Sequence, residues 1–255
     1  MQLWTKEHAL TLLPALAVMI ILSVVLRILL RNKSEKIRMI PIQTVALLLV
    51  IIEIGKQAIS LYRGYDLYHL PFHFCSLFIF MLPLMAFYRG RRAKEIRGIT
   101  AALCAAVLLL ILIYPNLIYS AYDVTNFFKD YMCFHTVFFH NLVMLAAFLI
   151  PMLGLHTPES TKKELLAVTY FTLGFSVVAA VMSQLLKTNY ANMYSCNVPP
   201  LEAVRLAVQE VLGYALTQVL YDLAVTVLQI LFTLMAYGFY RLLCQLTRGC
   251  GKIKA

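Results

Sequence analysis

The chain has 255 residues, a formal net charge of +10, 62% hydrophobic and only 13% charged residues, and a mean hydropathy of +0.80. A soluble globular domain carries about a quarter charged residues, so the composition excludes a water-soluble protein. At roughly 20 apolar residues per crossing, the length holds seven or eight membrane spans and leaves no room for a separate soluble domain. The positive charge is therefore read loop by loop as an orientation signal and not as a nucleic-acid footprint.

Apolar segments of membrane length follow in chain order at 9–30, 41–61, 72–88, 98–119, 132–152, 165–186 and 211–241. They are separated by the polar runs RNKSEKIR, YRGYDLYHLP, RGRRAKEIR, YDVTNFFKD, HTPESTKKE and KTNYANMYSCNVPP. The pattern predicts an all-α fold, a single seven-helix membrane domain over residues 1–255. The first segment is a span and not a signal peptide, because its basic cluster follows the apolar run and no small-residue cleavage site closes it. The seventh exceeds one perpendicular crossing, and its helical pattern begins upstream near Leu201, after Pro199 and Pro200; such a segment tilts, kinks or starts at the interface.

Lys and Arg fall unevenly on alternate sides. Sixteen lie on one side (Arg27, Arg31, Lys33, Lys36, Arg38, Arg89, Arg91, Arg92, Lys94, Arg97, Lys162, Lys163, Arg241, Arg248, Lys252, Lys254), five on the other (Lys6, Arg63, Lys129, Lys187, Arg205), and Lys56 falls inside a span. The bias puts the amino terminus outside and the carboxyl terminus in the cytoplasm, with the basic clusters topogenic and bound to anionic headgroups.

An ionisable side chain at mid-membrane costs about 2.5–3.5 kcal/mol and is a functional candidate by default. Glu53 and Lys56 share one face of the second span. His73 and Cys75 open the third, His135, His140 and Asn141 the fifth. Gln184 and Lys187 close the sixth and lead to Asn189 and Asn192, while Glu210, Gln218 and Asp222 occupy the start of the seventh. All fall in the outward half, whereas the inward half has little beyond Thr169, Thr172, Ser176 and Gln229. One-sided polarity favours a site over a path across the bilayer. Glu53 and Lys56 can equally neutralise each other as an intrahelical ion pair. Asp222 needs a partner, and Lys56 is the membrane-depth cation that offers one. Cys75 lies two residues from His73, about 200° away on a helix, so its base must come from another span, with His140 best placed. Cys133 and Cys196 can pair in an oxidising compartment; Cys104, Cys244 and Cys250 look incidental. Ala101, Ala102, Ala105 and Ala106 suit helix contacts within or between chains.

The runs EIGK at 53–56, PFHFC at 71–75, FFHN at 138–141 and NYANMY at 189–194 together resemble the YwaF family of bacterial integral membrane proteins and, more distantly, the animal transmembrane protein 164 family. The resemblance implies a seven-helix fold in a bacterial cell membrane. From the animal branch it implies a lipid acyltransferase that moves a fatty acyl group between phospholipids through an acylated cysteine. It matches Glu53 and Lys56 to an acid–base pair, Pro71 and His73 to a proline and histidine, His140 to a histidine, and Asn189, Asn192 and Met193 to an asparagine-rich loop. The animal cysteine corresponds to Phe72 here, which leaves Cys75 as a shifted candidate.

Three functional classes stay open. In an acyl-transfer or lipid-ester enzyme, Cys75 attacks an ester, His140 or His73 carries the proton, and Glu53, Lys56, Asn189, Asn192 and Asp222 bind phospholipid or lysophospholipid, with no cofactor and no metal. A metal-dependent hydrolase would use His73, His135 and His140 with Glu53, but His135 and His140 stand about 140° apart on a helix. The third class is a non-enzymatic outward-facing receptor, binder or transporter component. A retinal-type receptor is disfavoured because the seventh span contains no lysine.

Overall fold

The computed structural model describes residues 4–158 and 161–249; Cys250, Lys252 and Lys254 lie outside them. Ten α-helices follow in order, α1 (Lys6–Leu30), α2 (Glu35–Arg38), α3 (Ile40–Tyr62), α4 (Phe78–Phe87), α5 (Ala93–Ile113), α6 (Ala121–Thr125), α7 (Tyr131–Met152), α8 (Thr161–Leu186), α9 (Pro199–Leu212) and α10 (Tyr214–Gly249), and no strand occurs among the described residues. Six helical stretches are long and apolar enough to cross a membrane: α1, α2 joined to α3, α5, α7, α8 and α10. The expected third span is the exception. Its first half is unwound into a 3₁₀ turn at Cys75–Leu77, and α4 has ten residues with Pro83 inside, about 15 Å of helix against a hydrocarbon core of about 30 Å.

Burial orders the bundle. The apolar stretches of α5 and α7 are each 67% buried, against 22% for α1 and α8 and 17% for α10, so α5 and α7 form the centre and the others present apolar side chains outward. Ala101, Ala102, Ala105 and Ala106 are all fully buried, which assigns the small-residue stripe of α5 to packing within the chain, where it lets neighbouring backbones come close.

The seventh segment also departs from its expected bounds. Gly213, at φ 75 and ψ 165, separates α9 from α10, a backbone conformation open to glycine and strained for other residues. In α9 the stripe Glu202, Arg205 and Gln209 is half-buried, whereas Leu201, Val204 and Val211 are exposed. The polar stripe faces the bundle and the apolar stripe faces out, the reverse of a helix bathed in water. Glu202 accepts from Arg205 Nη2 at 2.6 Å and from the Cys196 backbone N–H at 2.8 Å; the Arg205 guanidinium foremost holds its carboxyl below the usual carboxylate range.

At the opposite end, where the sequence offers basic clusters but few polar groups within the spans, three arginines turn to backbone carbonyls. Arg27 donates to the Met152 and Thr247 carbonyls, Arg38 to Leu153 and Arg97 to Leu155, while Arg97 also meets Glu35 at 2.7 Å. Three guanidiniums from three helices thus satisfy the carbonyls left open at the carboxyl end of α7 and oppose its dipole. Beside them His156 lies 3.3 Å from Glu164, Tyr237 donates to Glu164, and Tyr240 donates to the His156 carbonyl.

The α3–α7 contact depends on Gly55. The Tyr131 hydroxyl reaches across to donate to the Ile52 carbonyl at 2.9 Å, and a Cβ at Gly55 would stand 2.1 Å from that oxygen and 2.8 Å from Cζ. Gly55→Ala is expected to displace the ring and cost about 1–3 kcal/mol, read as a lower unfolding temperature in detergent, with Tyr131→Leu in the same background recovering part of the loss.

Candidate functional site

A cavity of about 410 Å³ opens at the end of the bundle where α3 ends and α7 begins, a size within the range of about 300–1,000 Å³ for small-molecule sites. Cys75, His73, His140, Glu53, Lys56, Asn189 and Asn192 all line it, together with His69, His135, Tyr68, Thr136 and Gln229. Apolar walls come from Phe74, Phe139, Leu110, Leu117 and Phe232. Asp222 is not among the lining residues, and its expected pairing with Lys56 does not occur: Asp222 accepts from Gln218 Nε2 at 2.9 Å, while Lys56 pairs with Glu53.

Glu53 is the electrostatic hub. Oε1 lies 2.6 Å from Lys56 Nζ and 2.7 Å from Gln57 Nε2, and Oε2 lies 2.9 Å from His135 Nε2. The i, i+3 and i, i+4 spacing on α3 brings Lys56 and Gln57 to the carboxylate, and His135 arrives from α7. One carboxylate thus holds a cation, an amide and an imidazole, and the side chains of Glu53 and Lys56 are only 8% and 11% exposed. Gln57 carries the network onward, donating to the His69 carbonyl at 2.9 Å and accepting from the Tyr65 hydroxyl at 2.7 Å.

The unwound segment before α4 supplies the next layer. His73 lies outside any α-helix and its Nε2 donates to the Tyr68 carbonyl at 3.0 Å, so Nδ1 is left as the acceptor. Its ring stands 4.3 Å from that of Tyr68 and 5.3 Å from that of Tyr190. Burial foremost holds the Tyr68 phenol above its ordinary range. Cys75 opens the 3₁₀ turn and lines the cavity, yet no hydrogen bond joins its thiol to His140 or His73 among the described residues. Phe72, the position the resemblance gives to a cysteine, packs edge-on against Tyr190 at 5.3 Å and does not line the cavity.

His140 has a fixed role. Its Nδ1 lies 2.6 Å from the Thr136 carbonyl one turn earlier on α7, and a carbonyl only accepts, so Nδ1 carries the hydrogen and Nε2 presents a lone pair. That Nε2 is buried without a hydrogen-bond partner, as is the Oδ1 of Asn192. Both residues line the cavity, and buried acceptors left without partners there call for a ligand that brings donors.

The loop after α8 completes the wall. Lys187, Ala191 and Asn192 have φ of 51, 50 and 63, left-handed conformations that cost non-glycine residues about 1–2 kcal/mol each. Asn189 has a structural task there: its Oδ1 accepts from the Tyr194 and Ser195 backbone N–H groups at 3.1 and 3.2 Å, and its Nδ2 donates to Asn197. The Tyr190 hydroxyl donates to the Leu67 carbonyl, tying this loop to the unwound segment.

The metal reading finds no support in the donor geometry: among the described residues no three His, Cys, Asp or Glu side chains converge as ligands. Cys133 and Cys196, which could pair in an oxidising compartment, are both free thiols, with Cys133 on α7 and Cys196 in the loop before α9. His69, Tyr68, Gln57 and Thr136 were not singled out from sequence. Gln57 and Thr136 carry a readable signal, each one turn from an ionisable residue, whereas His69 enters through tertiary folding of a loop.

The sequence profile of the TMEM164 family matches residues 3–237. No curated protein and no solved structure matches the chain. A profile match across nearly the whole chain, on a multi-helix apolar fold, is sufficient to assign it: the chain belongs to the TMEM164 family.

The hub yields a prediction. Glu53→Gln removes the charge that compensates Lys56 and is expected to cost about 3–5 kcal/mol, measured by thermal unfolding in detergent; Glu53→Gln with Lys56→Met removes both charges and is expected to regain most of the loss.

Proposed function

We propose that this protein is a membrane-embedded lipid acyltransferase whose reaction centres on His140. The observation that carries the reading is the buried, unpartnered Nε2 of His140, held as an acceptor by the bond from Nδ1 to Thr136. The motif resemblance to a family branch of acyltransferases and a cavity that joins apolar walls to a cluster of polar and ionisable side chains support it. The hydroxyl of a lysophospholipid gives its proton to His140 Nε2 as its oxygen attacks the ester carbonyl of a phospholipid. The tetrahedral intermediate collapses, and the leaving lysolipid alkoxide takes the proton back. Lys56, with one bond directed to Glu53, has further ammonium hydrogens for a phosphate. A covalent route is the second reading. In it Cys75, which lines the cavity where Phe72 does not, attacks the ester first, its thiol proton passing to the donor's departing lysolipid oxygen, and the acceptor lysolipid hydroxyl then takes the acyl group from sulfur and returns a proton to the thiolate.

The same proposal assigns the third apolar segment a crossing completed by the unwound stretch before α4, a seven-segment bundle with the amino terminus outside, and placement in a bacterial cell membrane in the YwaF branch. The sixteen-to-five distribution of Lys and Arg supports the orientation.

The test uses vesicles containing the protein, phosphatidylglycerol with a deuterated acyl chain, and lysophosphatidylcholine, with the products read by mass spectrometry. Deuterated phosphatidylcholine is the expected product, and His140→Gln is expected to slow its formation by about 10²–10⁴-fold. Cys75→Ser distinguishes the routes: direct transfer retains activity, whereas the covalent route loses it and wild-type protein carries an acyl-cysteine. A folded wild-type protein that moves no label, with these lipids or with other glycerophospholipid pairs, overturns the enzyme reading.

A further inference from the structure

The left-handed turn that carries Asn192 is held from one helix. Three successive backbone carbonyls each accept a hydrogen bond from an α10 side chain: Ala191 from Gln229 Nε2 at 3.0 Å, Asn192 from the Tyr221 hydroxyl at 2.7 Å, and Met193 from Gln218 Nε2 at 2.8 Å. Such a run leaves no carbonyl of the turn open, although φ is positive at Ala191 and Asn192 and no helix or sheet can take their backbone bonds. The donors are themselves held. Ser176 on α8 donates to Gln229 Oε1 at 2.8 Å, Gln218 also donates to Asp222, and the Arg205 guanidinium of α9 stands 5.7 Å over the Tyr221 ring. Met193 is fully buried beneath the turn. Two side-chain oxygens of this network are buried without a partner, Gln218 Oε1 and Asn192 Oδ1, and of these two residues Asn192 is the one that lines the cavity.

We propose that Gln218, Tyr221 and Gln229 are positioning residues: they fix the Ala191–Met193 turn so that the Asn192 amide oxygen stands in the cavity as a preset acceptor for a hydroxyl or ammonium donor on the bound lipid. This rests on the reading of the cavity as a lipid site. Strain retained at a turn and stabilised from outside it is the expected mark of a preorganised contact. Asp222 enters as a support of Gln218 and not as a ligand contact. The polar stripe of α9 acts on the same turn through Arg205 and Tyr221, which explains why that stripe faces inward.

The experiment compares Tyr221→Phe, Gln229→Leu, Gln218→Met and Asn192→Ala with full-length wild-type protein in nanodiscs. Binding is read with a dansyl lysophosphatidylcholine, and backbone mobility by hydrogen–deuterium exchange over 188–198. Asn192→Ala is expected to weaken binding about five- to tenfold, the scale of one hydrogen bond, without speeding exchange in the turn. Tyr221→Phe and Gln218→Met are expected to weaken binding similarly and, with Gln229→Leu, to speed exchange there. Combined with Asn192→Ala, Tyr221→Phe and Gln218→Met are expected to cost no further affinity, because they act through Asn192, whereas Gln229, which itself lines the cavity, is read by exchange alone. Losses that add in the double variants, or unchanged exchange in both Tyr221→Phe and Gln229→Leu, overturn the proposal. Binding that follows this pattern without acyl transfer fails the enzyme reading and leaves the positioning role intact. If wild type binds no lysolipid, the lipid-site reading and the proposed contact fail together.

Discussion

Backbone that is not helical must find hydrogen-bond partners wherever water is scarce, and a membrane protein keeps such backbone only where it is buried in protein or lines a cavity. The stretch from Asp66 to Leu77 and the loop from Lys187 to Val198 are of that kind, and both wall the same cavity. Side chains satisfy them. Gln57 donates to the His69 carbonyl, His73 to that of Tyr68, Tyr190 to that of Leu67, and three α10 residues to Ala191, Asn192 and Met193. The two segments also pack on each other through the Phe72, His73 and Tyr190 rings. The cavity exists because α4 starts late, and α4 can start late because its missing half is supported by its neighbours.

Within that cavity, polar groups divide into two kinds. Lys56 and His135 both bond to Glu53, so the strongest charges are compensated before any ligand arrives. His140 and Asn192 are each fixed at one point and open at another, His140 through Nδ1 and Asn192 through its own backbone carbonyl. A low-dielectric site built this way gains selectivity from the open acceptors, since a ligand without donors would leave them unpaired.

Sequence patterns carried the hydrophobic scaffold well. Membrane-length apolar runs marked α1, α3, α7 and α8 to within a few residues, because each is a continuous helix whose length is set by bilayer thickness, whereas the run at 98–119 overran α5, which ends at Ile113. The run at 72–88 read as a span because hydropathy counts apolar residues and is blind to unwinding in PFHFCSL, where tertiary bonds replace the helical ladder. The seventh run hid the break at Gly213, a single glycine in an apolar context. Of the site, the i, i+3 pairing of Glu53 with Lys56 was readable, as was the gathering of His73, His140, Asn189 and Asn192 at one level. The bond from His135 to Glu53 was not, since it joins residues 82 positions apart, and the proximity that suggested Lys56 for Asp222 was one of depth alone, while Gln218 stood one turn away on the same helix. The polar cluster at the other end went unread for a related reason: His156 and Glu164 looked like loop residues, and the partners of the arginines are backbone carbonyls, which leave no mark in composition.

Those arginines bear on how topology is probed. Arg27, Arg38 and Arg97 belong to the sixteen basic residues whose asymmetry sets the expected orientation, yet each is partly buried and directed at carbonyls near the end of α7. Charge reversal along this chain therefore mixes two effects that are usually separable. Removing Arg91 or Arg92, which are exposed, alters the insertion signal alone, whereas removing Arg97 alters that signal and also opens the seam where α2, α5 and α7 meet. A topology map built on neutralised arginines would report misfolding at three positions as if it were inversion.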